Sequence, residues 1–177
     1  DCIRVATYAH QIPTAVDMIK DAHDKGYETC CNIMAISTVA DPEIDKALEI
    51  LAETPVETIV VVDSYGSLYH EQIRALVKKY VAMANATGKE VGIHTHNNMQ
   101  LAFANTIEAI IQGANRIDAT MLGLGRGAGN CPMELLLGFL KNPKFDLRPI
   151  FNLLQEHLMP MRRTKEWGAL IPYVVTG

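Results

Sequence analysis

The chain has 177 residues, 49% of them hydrophobic, with 16 Lys+Arg against 20 Asp+Glu and a formal net charge of −4. That balance excludes disorder, because apolar side chains suffice to offset chain entropy, and it excludes a nucleic-acid binder, because no Lys/Arg block can neutralise phosphates. No apolar run approaches the roughly 18–20 residues that span a bilayer, and Asp1-Cys2-Ile3-Arg4 lacks the features of a secretory signal.

In chain order, short β-branched runs alternate with helix-length amphipathic stretches. A strand over 3–7 (Ile3-Arg4-Val5-Ala6-Thr7) precedes a helix over 12–25. A strand over 29–34 contains Cys30-Cys31, whose side chains must point to opposite faces. With Cys2 and Cys131 they read as reduced, mostly buried thiols of a cytoplasmic protein. A helix over 42–53 follows, with Asp41 as N-cap and Pro42 at its first position. The strand over 58–62, Ile59-Val60-Val61-Val62 included, is apolar without alternation, as expected where both sheet faces are covered. Helices over 69–86, 99–112 and 131–140 and strands over 91–95 and 115–120 complete five units, with Gly26, Gly88 and Gly113 as helix stops.

Such alternation predicts βα units and a parallel sheet. Strand starts recur every roughly 25–33 residues, the pitch of a (β/α)8 TIM barrel, though an open doubly wound sheet has a similar pitch. The polar residues favour the barrel. They gather at the carboxyl end of every strand: Thr7, residues 32–37, Asp63-Ser64, His94 with His96, and the loop 123–130. Five strands leave two unpaired edges and cannot close. The sequence therefore predicts an incomplete barrel, about strands 4 to 8, over residues 3–140, with a helical extension over 141–177.

Three segments carry chemistry. In Val91-Gly92-Ile93-His94-Thr95-His96-Asn97-Asn98 the histidines lie two apart on a strand, so both imidazoles project from one face. Held that way, they can chelate a divalent cation or form a hydrogen-bonded acid–base pair, and Asn98 is placed to contact substrate. Two imidazoles alone make a weak metal site, so a carboxylate is the expected third ligand. The second segment, Gly123-Leu124-Gly125-Arg126-Gly127-Ala128-Gly129-Asn130, matches a dinucleotide fingerprint, with Asp146 at about the right distance. That match is weak, because Lys144-Phe145-Asp146, flanked by Pro143 and Pro149, does not read as a strand. The alternatives are a nest of backbone N–H groups that binds an anion and brings Asn130 to the metal, with Arg126 as a carboxylate clamp or simply solvated, or a structural turn. The third, Asp63-Ser64-Tyr65-Gly66, offers Asp63 to fix a histidine tautomer and Ser64 to bond a substrate oxygen, or else a helix-capping turn.

Taken together, Ile3-Arg4-Val5-Ala6-Thr7, Val62-Asp63-Ser64-Tyr65-Gly66, His94-Thr95-His96-Asn97-Asn98 with Leu101-Ala102-x-Ala104-Asn105, and the 123–130 loop resemble the DRE-TIM metallolyase superfamily. Among its members the chain is most similar to metal-dependent 4-hydroxy-2-oxoacid aldolases. The resemblance implies His94 and His96 as metal ligands, Asn130 as a further ligand, and Mn²⁺ or Mg²⁺, with Zn²⁺ as the alternative. It implies Thr7, Asp63, Ser64, Asn98, Gly125 and Arg126 in substrate binding and Tyr173 in catalysis. The ligand Asp, the enolate-stabilising Arg and the main base belong to a first strand outside this sequence. The implied reaction cleaves a 4-hydroxy-2-oxo acid through a metal-stabilised pyruvate enolate. An acyl-CoA-dependent Claisen-type synthase and a non-catalytic metal- or carboxylate-binding domain stay open beside it. So do a homo-oligomer and an aldehyde dehydrogenase partner.

Overall fold

The β-branched runs form five parallel strands in the computed structural model, which describes residues 1–170. They are β1 (Cys2–Tyr8), β2 (Glu28–Met34), β3 (Thr58–Asp63), β4 (Glu90–Thr95) and β5 (Arg116–Ile117), hydrogen-bonded in sequential order. Helices α1 (Ile12–Asp24), α2 (Asp41–Ala52), α3 (His70–Thr87) and α4 (Ala102–Ile111) make the crossovers. This is a parallel α/β arc of the TIM-barrel type.

The register sorts the side chains into two faces. Val5 lies opposite Cys31, Cys31 opposite Ile59, and Ile59 opposite Val91. That row packs under the helices with Ile12, Ile19, Leu48, Leu51, Ile73, Val77 and Tyr80 in one apolar core. Burying each large aliphatic side chain there contributes roughly 1.5–3 kcal/mol. The alternate row, Ala6, Asn32, Val60, Gly92 and Arg116, faces the concave side. There Cys30, Val60 and Val62 form a separate small cluster. Cys30 and Cys31 do point to opposite faces, and all four cysteines are free thiols.

Several predicted boundaries shift for local reasons. Asp41 is not the cap of α2. Ala40 occupies that position, Asp41 is already helical, and its carboxylate pairs with Lys79 at 3.5 Å. Helix α4 starts at Ala102 rather than 99, because Gln100 adopts a left-handed φ of 59° and the Asn97 side chain accepts from the Ala102 N–H at 3.2 Å. The strand predicted over 115–120 forms a ladder with β4 only at Arg116–Ile117; Asp118 N–H still donates to the Ile93 carbonyl at 3.0 Å, and Thr120 makes an isolated bridge to Pro132.

Beyond β5, helix α5 (Met133–Leu140) is followed by α6 (Leu147–Leu153), a π-helical turn (Leu154–Leu158) and α7 (Met159–Lys165). Asp146 does not end a nucleotide-binding strand. Its side chain accepts from the Arg148 N–H and caps α6. Trp167, just past α7, is buried against the 123–130 loop. No described helix is long and apolar enough to cross a membrane.

Candidate functional site

The concave face holds an open cavity of about 340 Å³, lined by Ala6, Asn32, Met34, Val62, Ser64, His94, His96 and Arg126. Strand β4 supplies the histidine pair, whose ring centroids lie 5.1 Å apart at 67°, edge to face. Strict alternation puts them here: His94 and His96 share the parity of Gly92, while Ile93 and Thr95 point to the helices. Thr95 holds the end of the strand by bonding the Ala102 carbonyl at 3.0 Å and the Thr106 hydroxyl at 2.9 Å.

Each imidazole sits in a different electrostatic setting. His94 Nδ1 lies 3.0 Å from Asp118 Oδ2. Burial alone would raise the Asp118 carboxyl, but hydrogen bonds from His94 and Arg4 outweigh it and hold the group below its usual range. His96 is driven down to about 4, first by burial and then by the charges of His94 and Arg126, against a weaker opposing pull from the Gly129 backbone. It is therefore neutral at physiological pH, the form that ligates metals. Its Nδ1 is buried without a hydrogen-bond partner.

The glycine-rich loop brings Asn130 and Arg126 to the histidines. His96 and Asn130 pair as an antiparallel bridge, and Asn97 N–H donates to the Gly129 carbonyl at 2.8 Å. Asn130 Nδ2 donates to the Leu124 carbonyl at 3.3 Å, while its buried Oδ1 has no partner. Gly125 makes room: a Cβ there would lie 2.6 Å from Asn130 Nδ2. Arg126 donates to the Ser64 carbonyl, which fixes the guanidinium at the cavity wall. Four of the loop's N–H groups are engaged within the protein. Those of Gly123, Leu124, Gly129 and Asn130 bond carbonyls of the loop and the turn before it.

Not every predicted residue reaches this face. Thr7 has the parity of Val5, is buried on the helix side, and its hydroxyl bonds the Tyr8 carbonyl at 3.2 Å. Asp63 is likewise on the helix side and fully buried. It accepts from the Ser67 and Leu68 N–H groups at 3.2 and 3.3 Å, so it builds the turn after β3. Burial raises its carboxyl against those bonds. Asn98 is buried beside Gly66 of the same turn. Ser64 does line the cavity, its Oγ accepting from the Ala35 N–H at 2.8 Å. Tyr173 lies outside the described residues. Asp118 was not singled out from sequence, although its place two residues past Arg116, at the end of β5, was a usable signal.

Among the described residues no three His, Cys, Asp or Glu side chains gather closely enough to hold a metal ion. The donors present still suit a divalent cation. His96 Nδ1 and Asn130 Oδ1 are buried without hydrogen-bond partners, and both imidazoles stand on one face.

The sequence pattern of the HMGL-like family matches residues 6–155. The chain belongs to the HMGL-like family. This family lies within the DRE-TIM metallolyase superfamily that the motifs resemble. The chain is 31% identical over 176 residues to a 4-hydroxy-2-oxovalerate aldolase of Bacillus thuringiensis, covering 96% of this chain and 51% of the relative. It is 32% identical over 164 residues to an oxaloacetate decarboxylase of Mycobacterium tuberculosis, covering 90% and 48%. The chain thus spans about half the length of these curated relatives. The N-terminal domain of a candidate aldolase from Bacteroides vulgatus superposes with a TM-score of 0.87 at 31% identity, over all of this chain and 59% of that one.

Proposed function

We propose that these five units are strands 4 to 8 of an eight-stranded barrel, and that their concave face belongs to a divalent-metal-dependent lyase cleaving a 4-hydroxy-2-oxo acid to pyruvate and an aldehyde. The observation that carries this reading is the gathering of His94, His96, Asn130 and Arg126 on one face of an HMGL-like fold. The aldolase relatives support the substrate class.

His94, His96 and the Asn130 carbonyl would hold the cation, Mn²⁺ or Mg²⁺, with Zn²⁺ as the alternative. When bound, it supplies positive charge to the oxygens of the 2-oxo acid as negative charge develops on them. Arg126, anchored by the Ser64 carbonyl, pairs with the substrate carboxylate. Ser64 Oγ already accepts the Ala35 N–H, so its own proton is free to be donated to a substrate oxygen. Ala6, Met34 and Val62 give the cavity an apolar wall for the carbon chain of the substrate. Loss of the 4-hydroxyl proton to a base breaks the C3–C4 bond, the electron pair stays on C3 as the pyruvate enolate, and the aldehyde leaves. That base and the enolate-stabilising arginine are expected from parts of the barrel outside this sequence.

Decarboxylation of a 2-oxo diacid is the second reading, favoured by the oxaloacetate decarboxylase relative. It passes through the same enolate but releases CO2. Pyruvate release from 4-hydroxy-2-oxovalerate and from oxaloacetate, with Mn²⁺ and with chelator, tests both. Metal-dependent pyruvate formation from the hydroxy acid supports the aldolase. Turnover of oxaloacetate alone selects the decarboxylase, and turnover unaffected by chelation rejects the metal role.

A further inference from the structure

We propose that Asp118, clamped by Arg4, is the positioning residue that fixes the His94 ring in one tautomer, with hydrogen on Nδ1 and the Nε2 lone pair facing the cavity. This assignment rests on the lyase reading only in taking His94 as a ligand.

Three observations carry it. Asp118 Oδ2 sits 3.0 Å from His94 Nδ1, and an ionised carboxylate can only accept, so the imidazole nitrogen opposite it must carry the hydrogen. The same carboxylate is held in a two-pronged grip, Arg4 Nη1 to Oδ1 at 2.9 Å and Arg4 Nη2 to Oδ2 at 2.6 Å. A planar guanidinium spanning both oxygens fixes the carboxylate plane as well as its charge. Asn32 Oδ1, 3.4 Å from Arg4 Nη2, adds a contact on the guanidinium side.

The placement of the pair explains why a carboxylate so close to the His94 imidazole is not itself a ligand. Arg4 rises from β1 and Asp118 follows β5, so the ion pair ties the first strand of the arc to the last beneath the cavity. With both oxygens engaged, Asp118 cannot swing toward the cavity, in keeping with the absence of a three-donor cluster among the described residues. Its effect reaches the site through His94. A carboxylate behind a ligating histidine fixes its ring orientation and raises its basicity, and losing such a partner typically weakens metal binding about 10–100-fold.

The test uses the full chain with ¹⁵N-labelled histidine, His94 being assigned by comparison with His94→Gln. Metal-free protein is expected to show His94 protonated on Nδ1 with an unprotonated Nε2. Asp118→Asn, which keeps the shape, is expected to move His94 toward the Nε2–H form and to weaken Mn²⁺ binding about 10–100-fold in a titration, with the far-UV circular dichroism unchanged. If Asp118→Asn does not fold, Arg4→Lys, which keeps the charge but loses the fork, is expected to shift both readouts in the same direction by a smaller factor. An Nε2–H tautomer in the unmodified protein, or variants whose tautomer and affinity match it, overturns the proposal. A tautomer that responds while no Mn²⁺ binds the unmodified protein upholds the positioning role and rejects the metal-dependent lyase instead.

Discussion

The indole Nε1 of Trp167 donates to the Leu122 carbonyl at 3.0 Å, fastening the segment after α7 to the loop that carries Arg126 and Asn130. Leu122 holds a left-handed φ of 55°, its N–H bonds Glu134 Oε2 at 3.0 Å, and Gly168 N–H reaches the Gly127 carbonyl at 3.0 Å. Trp167 is 3% exposed. Trp167→Ala should therefore cost about 3–5 kcal/mol, and Trp167→Phe about 1–2 kcal/mol, from the orphaned carbonyl. Urea denaturation checks both, and as the chain has 1 Trp, its fluorescence reports this contact alone. A Trp167→Phe variant as stable as the unmodified chain would contradict the hydrogen bond.

Two glycines of that loop should respond differently to alanine. At Gly125 the new Cβ meets the Asn130 side chain, 2.6 Å from Nδ2 and 2.9 Å from Oδ1, which can rotate away. Gly125→Ala should fold and lose Mn²⁺ affinity. At Gly129 the Cβ meets the Gly123 carbonyl oxygen at 2.2 Å, and the φ of +84° disfavours any L side chain. Gly129→Ala should lose roughly 2–4 kcal/mol of stability. Thermal unfolding beside a metal titration separates the two effects, and full Mn²⁺ affinity in Gly125→Ala would count against Asn130.

Tyr80 is fully buried in the helix-side core, and its hydroxyl finds no partner among the described residues. Burial also pushes its phenol well above the ordinary range. Removing an unsatisfied buried hydroxyl relieves a desolvation penalty, so Tyr80→Phe should raise stability by about 1 kcal/mol. A destabilised variant would mean that the hydroxyl has a bonding partner.

His96 makes stability depend on pH. Its folded value of about 4 lies below the ordinary 6.5, so between those values the unfolded chain takes up a proton that the folded chain refuses. Unfolding is then favoured as pH falls, and stability from this group declines from pH 6.5 to about 4 and levels off below. Urea midpoints of metal-free protein across that window should fall more steeply than those of His96→Gln. Parallel curves would show that His96 titrates normally.

The strand–helix alternation was legible because burial imposes it. Ile59-Val60-Val61-Val62 is apolar throughout since both faces are covered, and His94 with His96 follows from the two-residue period of β4. The same period, applied to Thr7 and Asp63, would have turned them away from the cavity, since they share parity with Val5 and Val61. Reading them by closeness to a strand end ignored which way they point. Asp118 escaped notice because its meaning depends on Arg4, 114 residues away, and no local pattern encodes that pairing. Asp41 looked like a cap for a similar reason, as its role depends on Lys79.

Mn²⁺ titration of the metal-free chain against His94→Ala and His96→Ala tests the histidine pair most directly. One ion bound per chain, with binding abolished in either variant while the fold persists, is the expected result. Binding that survives removal of both imidazoles would contradict it.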